Sequence, residues 1–425
     1  MDLIKKVYQS RVFKNGLWLT ILQIVNTIAP MLTIPYITRV LGASKYGSFS
    51  IALNLIYYIQ VVVEYGFAMT GARKVALAKT QKEIDKIYSS ILYSRIVLTI
   101  ISVFFLVGFT VLGGYDQNTV ICMVILFLIV FGTTIQLTWL FQGMQEMKPI
   151  TVISSISRII SLISIFLFVK TENDLYLYCF LYSLTNVIYG IVGHIIARNK
   201  YHIKTIHISL KNILNELRDG WYLFTSSAMS KIFGNIGITV LGLVTVEYEV
   251  GIYSAISKIT SVAILLFLPV SQALFPYISK VFETSKTDAL KIIKLVSIST
   301  VFVFSLGGLV IFLYRDLIVE IAFGSEYLKY SLLLLPLLIW MITSIINNFL
   351  GIQILVASGH QKEYSKAFTV SMLFLVIYNL ILIGKFMMYG VATAQALSEI
   401  TLTIILIKSI SKIYRKSNKT NENIC

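Results

Sequence analysis

Pro35-Tyr36-Ile37-Thr38-Arg39-Val40-Leu41-Gly42-Ala43-Ser44-Lys45-Tyr46-Gly47 is the stretch whose reading decides the fold. It is a short polar turn, with Arg39, Lys45 and two glycines, caught between apolar runs at about 16–37 and 48–70. Each run holds about 20 residues, which at about 1.5 Å per helical residue is the thickness of a bilayer's hydrocarbon core. The turn therefore reads as the first hairpin of a polytopic membrane protein.

The rest of the chain agrees. Of 425 residues, 57% are hydrophobic and 13% charged, whereas a soluble protein carries roughly a quarter of its residues charged. The surplus apolar surface is expected to face lipid. Apolar runs recur about twelve times, at roughly 16–37, 48–70, 88–112, 119–141, 150–169, 175–197, 220–243, 251–275, 291–313, 331–355, 365–384 and 389–411. The first run lacks a small-residue cleavage site and is read as a retained helix. Of the three cysteines, Cys122 and Cys179 lie in apolar runs and Cys425 ends the chain. Their spacing suggests neither a disulfide nor a metal site.

The net charge of +16 raises the question of nucleic acid, and the position of the charges answers it. With the N-terminus placed inside, inside segments collect 26 of the 36 Lys and Arg residues, and outside connections hold six: Arg39, Lys45, Lys170, Arg315, Lys329 and Lys385. That bias is the signature of membrane insertion with both termini cytoplasmic. The basic stretches are short loops with no fold of their own, so no nucleic-acid partner is expected.

The chain also resembles itself. A shift of 204 pairs Gly16 with Gly220, Trp18 with Tyr222, Gly47 with Gly251, Phe49 with Tyr253, Ser50 with Ser254, Thr80 with Thr284 and Lys82 with Lys286. Gly143-x-Gln145 resembles Gly359-x-Gln361 at a longer shift. Twelve spans split six and six, and an even number returns the second half in the same orientation, a parallel repeat. The expectation is an all-α integral membrane protein of two six-helix lobes, 1–210 with a cytoplasmic linker and 211–425 with a basic tail. Between the lobes a cleft would work by alternating access.

Pro35-Tyr36-Ile37-Thr38-Arg39-Val40-Leu41-Gly42 with Tyr46-Gly47 resembles the first-hairpin signature of polysaccharide-biosynthesis flippases, which translocate O-antigen and capsule repeat units. Trp139-Leu140-Phe141-Gln142-Gly143, Val250-Gly251-Ile252-Tyr253-Ser254-Ala255 and Ala322-Phe323-Gly324-Ser325-Glu326-Tyr327 look like the later signatures, in order. The resemblance covers essentially the whole chain. It implies membership of the superfamily shared with multidrug exporters and the peptidoglycan lipid-precursor flippase. It further implies transfer of undecaprenyl-diphosphate-linked oligosaccharide, an anionic lipid-linked cargo, from the inner to the outer leaflet of a bacterial inner membrane. An O-antigen polymerase and a chain-length regulator are the implied partners, beside membrane lipids.

A charge at the centre of a membrane helix costs about 2.5–3.5 kcal/mol on insertion scales, so each one asks for a reason. The cations within the spans are Arg95, Arg158, Lys231 and Lys258. Lys231 lies about eleven residues from the inner end of its span, near the midplane, and Lys258 lies in the outer half of the next span. Their first-half counterparts are the neutral polar Thr27 and Asn54, so a cationic site would belong mainly to the second lobe, faced by Gln23, Asn26 and Asn54. Arg95 and Arg158 sit nearer the inner ends, where lining the cargo path competes with snorkelling or pairing with Glu64. Glu64 and Glu399 are coupling or ion-pair candidates. Arg39, at the outer surface, anchors the hairpin or guards the exit. His194 reads as a hydrogen-bonded structural histidine, and Tyr57 or Tyr58 as a candidate platform for sugar.

More cations than acids inside the membrane favour an anionic cargo over the organic cations of a multidrug exporter, which is the first alternative. An integral-membrane glycosyltransferase or polymerase, the second, would carry a larger extramembrane segment. No P-loop, HExxH or Gly-rich nucleotide motif stands out, so neither a cofactor nor catalysis by this chain is expected.

Overall fold

The structure, a computed structural model, describes residues 11–422; Lys5, Lys6 and Cys425 lie outside them. Among the described residues there is no strand. The chain opens with the helical stretch Arg11–Glu64, interrupted at Gly42 (φ 72, ψ 169), a backbone region that only glycine adopts without strain. The break yields α1 (11–41) and α2 (43–64) and sits inside the quoted hairpin. Then follow α3 (Phe67–Leu77) and α4 (Gln81–Leu112). The fourth span is broken into α5 (Gln117–Leu126), α6 (Leu128–Ile135) and α7 (Thr138–Gly143). Helices α8 (Met147–Phe168), α9 (Leu175–Tyr201), α10 (Leu210–Val244), α11 (Glu247–Thr284) and α12 (Lys286–Leu313) are longer. Beyond a short α13 (Arg315–Phe323) and a 3-10 stretch (Ser325–Leu333), α14 (Leu334–Asn347) runs into π-helical Asn348–Val356. The last helical stretch, Gln361–Glu422, turns at Met387 (φ 47, ψ −124) into α15 (361–386) and α16 (388–422).

By length and composition nine stretches of described residues are able to cross a membrane, and the bent pair Leu210–Ile232 and Gly234–Val244 adds a tenth. Two of the nine, Thr20–Leu77 and Gln361–Ile413, contain the breaks at Gly42 and Met387 and make two passes each. This is the expected twelve-span frame. The final hairpin was expected to turn near Gly384-Lys385 and turns instead at Met387, because Gly384 continues its helix.

The polarity of the helices is that of a protein in lipid. Along α4, Phe104 and Leu112 are 74% and 86% exposed, while Ser89, Ser90, Ser94, Thr99 and Ser102 are buried. All but the Ser90 hydroxyl, which has no partner, are satisfied. Ser89, Ser94, Thr99 and Ser102 each donate to the carbonyl four residues earlier, at 2.8 Å, which satisfies them within the helix itself. Small polar residues inside let helices approach closely. A Cβ at Gly132 of α6 would lie 2.6 Å from Asn186 of α9, and one at Gly190 of α9 would lie 2.2 Å from Ile135.

The described residues form two compact units that meet in sequence at Thr239/Val240. That point falls within α10, whose first part packs on α2 and α3. Lys74 of α3 bridges Glu216 at 2.8 Å and Asp219 at 2.7 Å, and Tyr65 stacks on Phe224 with ring centres 4.6 Å apart. Gly66 and Gly220 permit that crossing: a Cβ on either would strike Leu223 or the Tyr65 carbonyl.

The internal repeat is visible in local geometry. Thr80 and Ser285 cap α4 and α12 in the same way, each accepting at 3.3 Å from the N–H of an acidic residue three positions on, Glu83 and Asp288. The capping offset is 205, one more than the sequence shift, so Thr284 is not the counterpart of Thr80. The fourth span of each half ends in a matching left-handed turn. Gln145 (φ 57) and Gly359 (φ 87) precede Glu146 and His360, whose N–H groups reach back five residues to the carbonyls of Phe141 and Leu355 at 2.8 and 2.7 Å. The aligned pair Phe49 and Tyr253 also play one role, since each joins the second span of its half to the sixth. Phe49 packs on Tyr178 at 4.6 Å, and the Tyr253 hydroxyl donates to Gln395 at 2.9 Å.

Candidate functional site

The first unit gathers most of the intramembrane charge around α2. Counting at about 1.5 Å per residue from the hairpin side, Tyr57 and Lys231 both lie about 20 Å down their helices, well inside the hydrocarbon region. The Lys231 ammonium stands 4.7 Å from the centre of the Tyr57 ring, a cation–π contact that gains strength where water is scarce. The Tyr57 hydroxyl meets that of Tyr182 on α9 at 3.1 Å, and Arg158 of α8 acts electrostatically on the same tyrosine. Tyr57 is thus flanked by two cations, and neither makes a salt bridge among the described residues. Buried Nε of Arg158 has no hydrogen-bond partner.

Beside Tyr57 and one turn back toward the hairpin, neutral polar groups meet. Asn54 donates to Thr239 at 2.7 Å, Tyr58 meets the same hydroxyl at 2.5 Å, and the buried Asn54 carbonyl oxygen is left without a partner; elsewhere on α1 the buried Asn26 carbonyl oxygen is likewise without one. Two turns further in, Glu64 accepts from Gln60 at 3.1 Å and interacts electrostatically with Arg95 and Lys231. The set combines three cations with one carboxylate, carried by α2, α4, α8 and α10.

Arg95 is held differently from the other two cations. It is buried, lies 5.9 Å from the Phe67 ring, and donates through Nη1 to the carbonyls of Thr133 at 3.0 Å and Gln136 at 2.7 Å. These carbonyls are released where α6 ends, so the guanidinium caps the break in the fourth span. It makes no salt bridge to Glu64 within 4 Å. His194 is hydrogen-bonded through Nδ1 to Tyr88 at 2.8 Å, in keeping with a structural part.

Lys258 belongs to the second unit, where its side chain is exposed and makes no ion pair among the described residues. Glu399, in the same unit, is bonded to an amide and not to a lysine. Asn347 donates to its carboxylate at 2.5 Å and to its main-chain carbonyl at 2.9 Å, and Thr403 donates to the Asn347 oxygen at 2.8 Å. Asn347 is the last residue before the π-helical turn. Arg39 is exposed near the first hairpin, and its neighbour Lys45 reaches Asn173 at 3.3 Å. Sequence reasoning missed one juxtaposition: Cys122 of α5 and Cys179 of α9, 57 positions apart, lie buried with sulfurs 3.3 Å apart. Only the packing of the fourth span on the sixth, invisible in spacing, brings them together.

The chain's relatives agree with this architecture. A protein of Escherichia coli (strain K12) named as an O-antigen transporter is 28% identical over 401 residues, 93% of this chain and 95% of its own. The capsular polysaccharide biosynthesis protein CapF of Staphylococcus aureus is 21% identical over 400 residues, 92% of this chain and 97% of its own. Among solved structures, the lipid II flippase MurJ in an inward closed conformation matches with a TM-score of 0.72 at 18% identity, covering 94% of this chain and 87% of that one. An inward-facing multidrug transporter of the MATE family matches at 0.69 and 13% identity, over 92% and 99%. At these identities the fold is what is shared, and it is the two-lobe helical transporter fold. The family model described as "Polysaccharide biosynthesis protein" matches residues 12–282, well over half of the length, and the chain belongs to that family.

Proposed function

We propose that this protein is a flippase that moves a diphosphate-linked lipid oligosaccharide from the inner to the outer leaflet of a bacterial inner membrane. The observation that carries the reading is the pair of unsalted cations, Lys231 and Arg158, flanking Tyr57 about 20 Å inside the helices. Intramembrane cations that no carboxylate reaches in a salt bridge are costly, and an anionic headgroup arriving there would offset that cost. The sequence relatives named for O-antigen transport and capsule biosynthesis point to the same class of cargo.

In this mechanism the diphosphate sits between Lys231 and Arg158, and Asn54, Asn26 and Tyr58 offer hydrogen bonds to the first sugar. Lys258 is a further candidate cation for the cargo in the second unit, and the lipid tail stays in the bilayer. Arg95 serves as a positioning residue that holds the broken fourth span, with Glu64 between it and Lys231. Arg39 stands at the exit. Both termini lie in the cytoplasm, and the two halves of the repeat, 1–210 and 211–425 in the topological sense, act as the rocking bodies. A headgroup with about two negative charges gains roughly 4–5 kcal/mol per 100 mV on moving outward, driven by an inside-negative potential. Glu399, a mid-membrane carboxylate without a cation, is assigned to coupling. An O-antigen polymerase and chain-length regulator would receive the product. The cation excess argues against an organic-cation exporter. The test is the location of lipid-linked repeat units: deleting the protein should strand them on the inner leaflet, and their unchanged appearance outside would refute the function.

A further inference from the structure

At the end of the second unit that carries the turns before α11 and α16, three tyrosines from three separate elements converge. Tyr248 opens α11, Tyr330 lies in the 3-10 stretch, and Tyr389 follows the break at Met387. Each is half-buried. The rings of Tyr248 and Tyr330 meet edge to face with centres 6.1 Å apart, and the Lys329 ammonium stands 4.7 Å from the Tyr330 ring centre. Glu249 lies among them. Its carboxylate meets the backbone N–H of Met388 at the start of α16 and interacts electrostatically with Lys329 and Tyr389.

Two polar atoms in this cluster have no protein partner. The Oε2 oxygen of Glu249 is buried and accepts no hydrogen bond, and the Tyr389 hydroxyl makes none among the described residues. An interfacial belt accounts for tyrosines that lie at span ends with their hydroxyls toward water. It does not account for a buried carboxylate oxygen left open beside these tyrosines, since such an atom ordinarily finds a donor. The backbone beside it is strained as well: Met387 holds a positive φ of 47° with a side chain, a conformation that persists where surrounding structure imposes it. The first half's corresponding corner is built otherwise. Lys45 there reaches Asn173, Asp174 closes a capping box with Thr171, and the Tyr36 hydroxyl is spent on the Val169 carbonyl at 2.6 Å.

Flat aromatic faces, an open carboxylate oxygen, a free phenolic hydroxyl and an ammonium together have the chemistry that grips a pyranose. The apolar face of the sugar lies on a ring, its hydroxyls donate to the carboxylate, and the phenol and ammonium donate to its oxygens. We infer that Tyr248, Tyr330 and Tyr389, with Glu249 and Lys329, form a carbohydrate subsite that holds the glycan of the cargo on the outer side after translocation. This assignment rests on the flippase reading for its orientation and for the presence of a glycan.

The test uses full-length protein in nanodiscs and, as probe, the oligosaccharide freed by mild acid from the producing cell's own surface polysaccharide. Saturation-transfer NMR should report contact between the wild-type protein and the probe. Tyr389→Phe, which removes only the open hydroxyl and has no route to unfolding, should weaken binding about tenfold, the size of one hydrogen bond. Tyr330→Ala should abolish it, and Tyr330→Phe, which keeps the ring against Tyr248 and Lys329, should retain it. No transfer to the probe on wild-type protein, or equal transfer on Tyr389→Phe, would overturn the subsite. Because the probe lacks lipid and diphosphate, its failure to bind to a protein that still translocates lipid-linked glycan in cells removes the subsite and leaves the flippase intact. Binding by a protein that fails to translocate does the reverse.

Discussion

The Lys231 ammonium and the Tyr57 ring, 4.7 Å apart, join the seventh span to the second at a depth where a charge is least welcome. The contact gives the lysine partial shelter without neutralising it, since a ring quadrupole attracts a cation but carries no net charge. It also uses one face of Tyr57, the residue first considered as a sugar platform.

Arg95 gives the clearest separation of structure from transport. Its guanidinium satisfies two carbonyls where α6 ends. Arg95→Leu should leave the Gln136 carbonyl without its donor and the Thr133 carbonyl with only the Gln136 N–H at 3.3 Å, at about 1–3 kcal/mol, and the protein should melt at a lower temperature and accumulate less in the membrane. A variant with full stability and lost transport would instead place Arg95 in the cargo path.

Glycine positions make a matched pair of predictions. Gly132→Leu should be strongly destabilising, because its Cβ alone would lie 2.6 Å from Asn186. Gly307→Ala and Gly384→Ala meet nothing within 4 Å and should leave the melting temperature unchanged or raise it, by up to about 1 kcal/mol of stability. Thermal melting of the three purified variants checks the contrast.

Topology is testable by thiol labelling in a background with Cys122, Cys179 and Cys425 replaced. Cysteines at Lys45 and Lys385 should react with an impermeant reagent on intact spheroplasts, and cysteines at Lys82 and Lys286 only after permeabilisation. The opposite pattern would invert the inside and outside of every proposed step.

Glu399→Gln should keep the hydrogen bond from Asn347 and with it the melting temperature. If Glu399 carries coupling, translocation by the variant should no longer respond to an imposed pH gradient. An undiminished response would remove Glu399 from that role.

Much of the frame was legible in the sequence because bilayer thickness forces long apolar runs and Gly42 marks its own turn. The final hairpin was harder, since Met387 bears no turn chemistry and neighbouring Gly384 does. Which cations stay unpaired was not legible at all. Arg95 and Arg158 sit at similar depths on apolar helices, and only the broken fourth span, whose loose carbonyls Arg95 caps, tells them apart. The Cys122 and Cys179 contact and the tyrosines around Glu249 depend likewise on helices distant in sequence, and no spacing rule finds them. Lys231 stood out by depth alone, although its partners belong to the first unit and not the second.

The most direct measurement of the central claim is the leaflet distribution of lipid-linked repeat units in cells whose only copy of this protein is Lys231→Ala at wild-type membrane levels. The account predicts accumulation on the inner leaflet as severe as in the deletion strain, with Lys231→Arg largely restoring outward transfer. Wild-type distribution in the Lys231→Ala strain would contradict it.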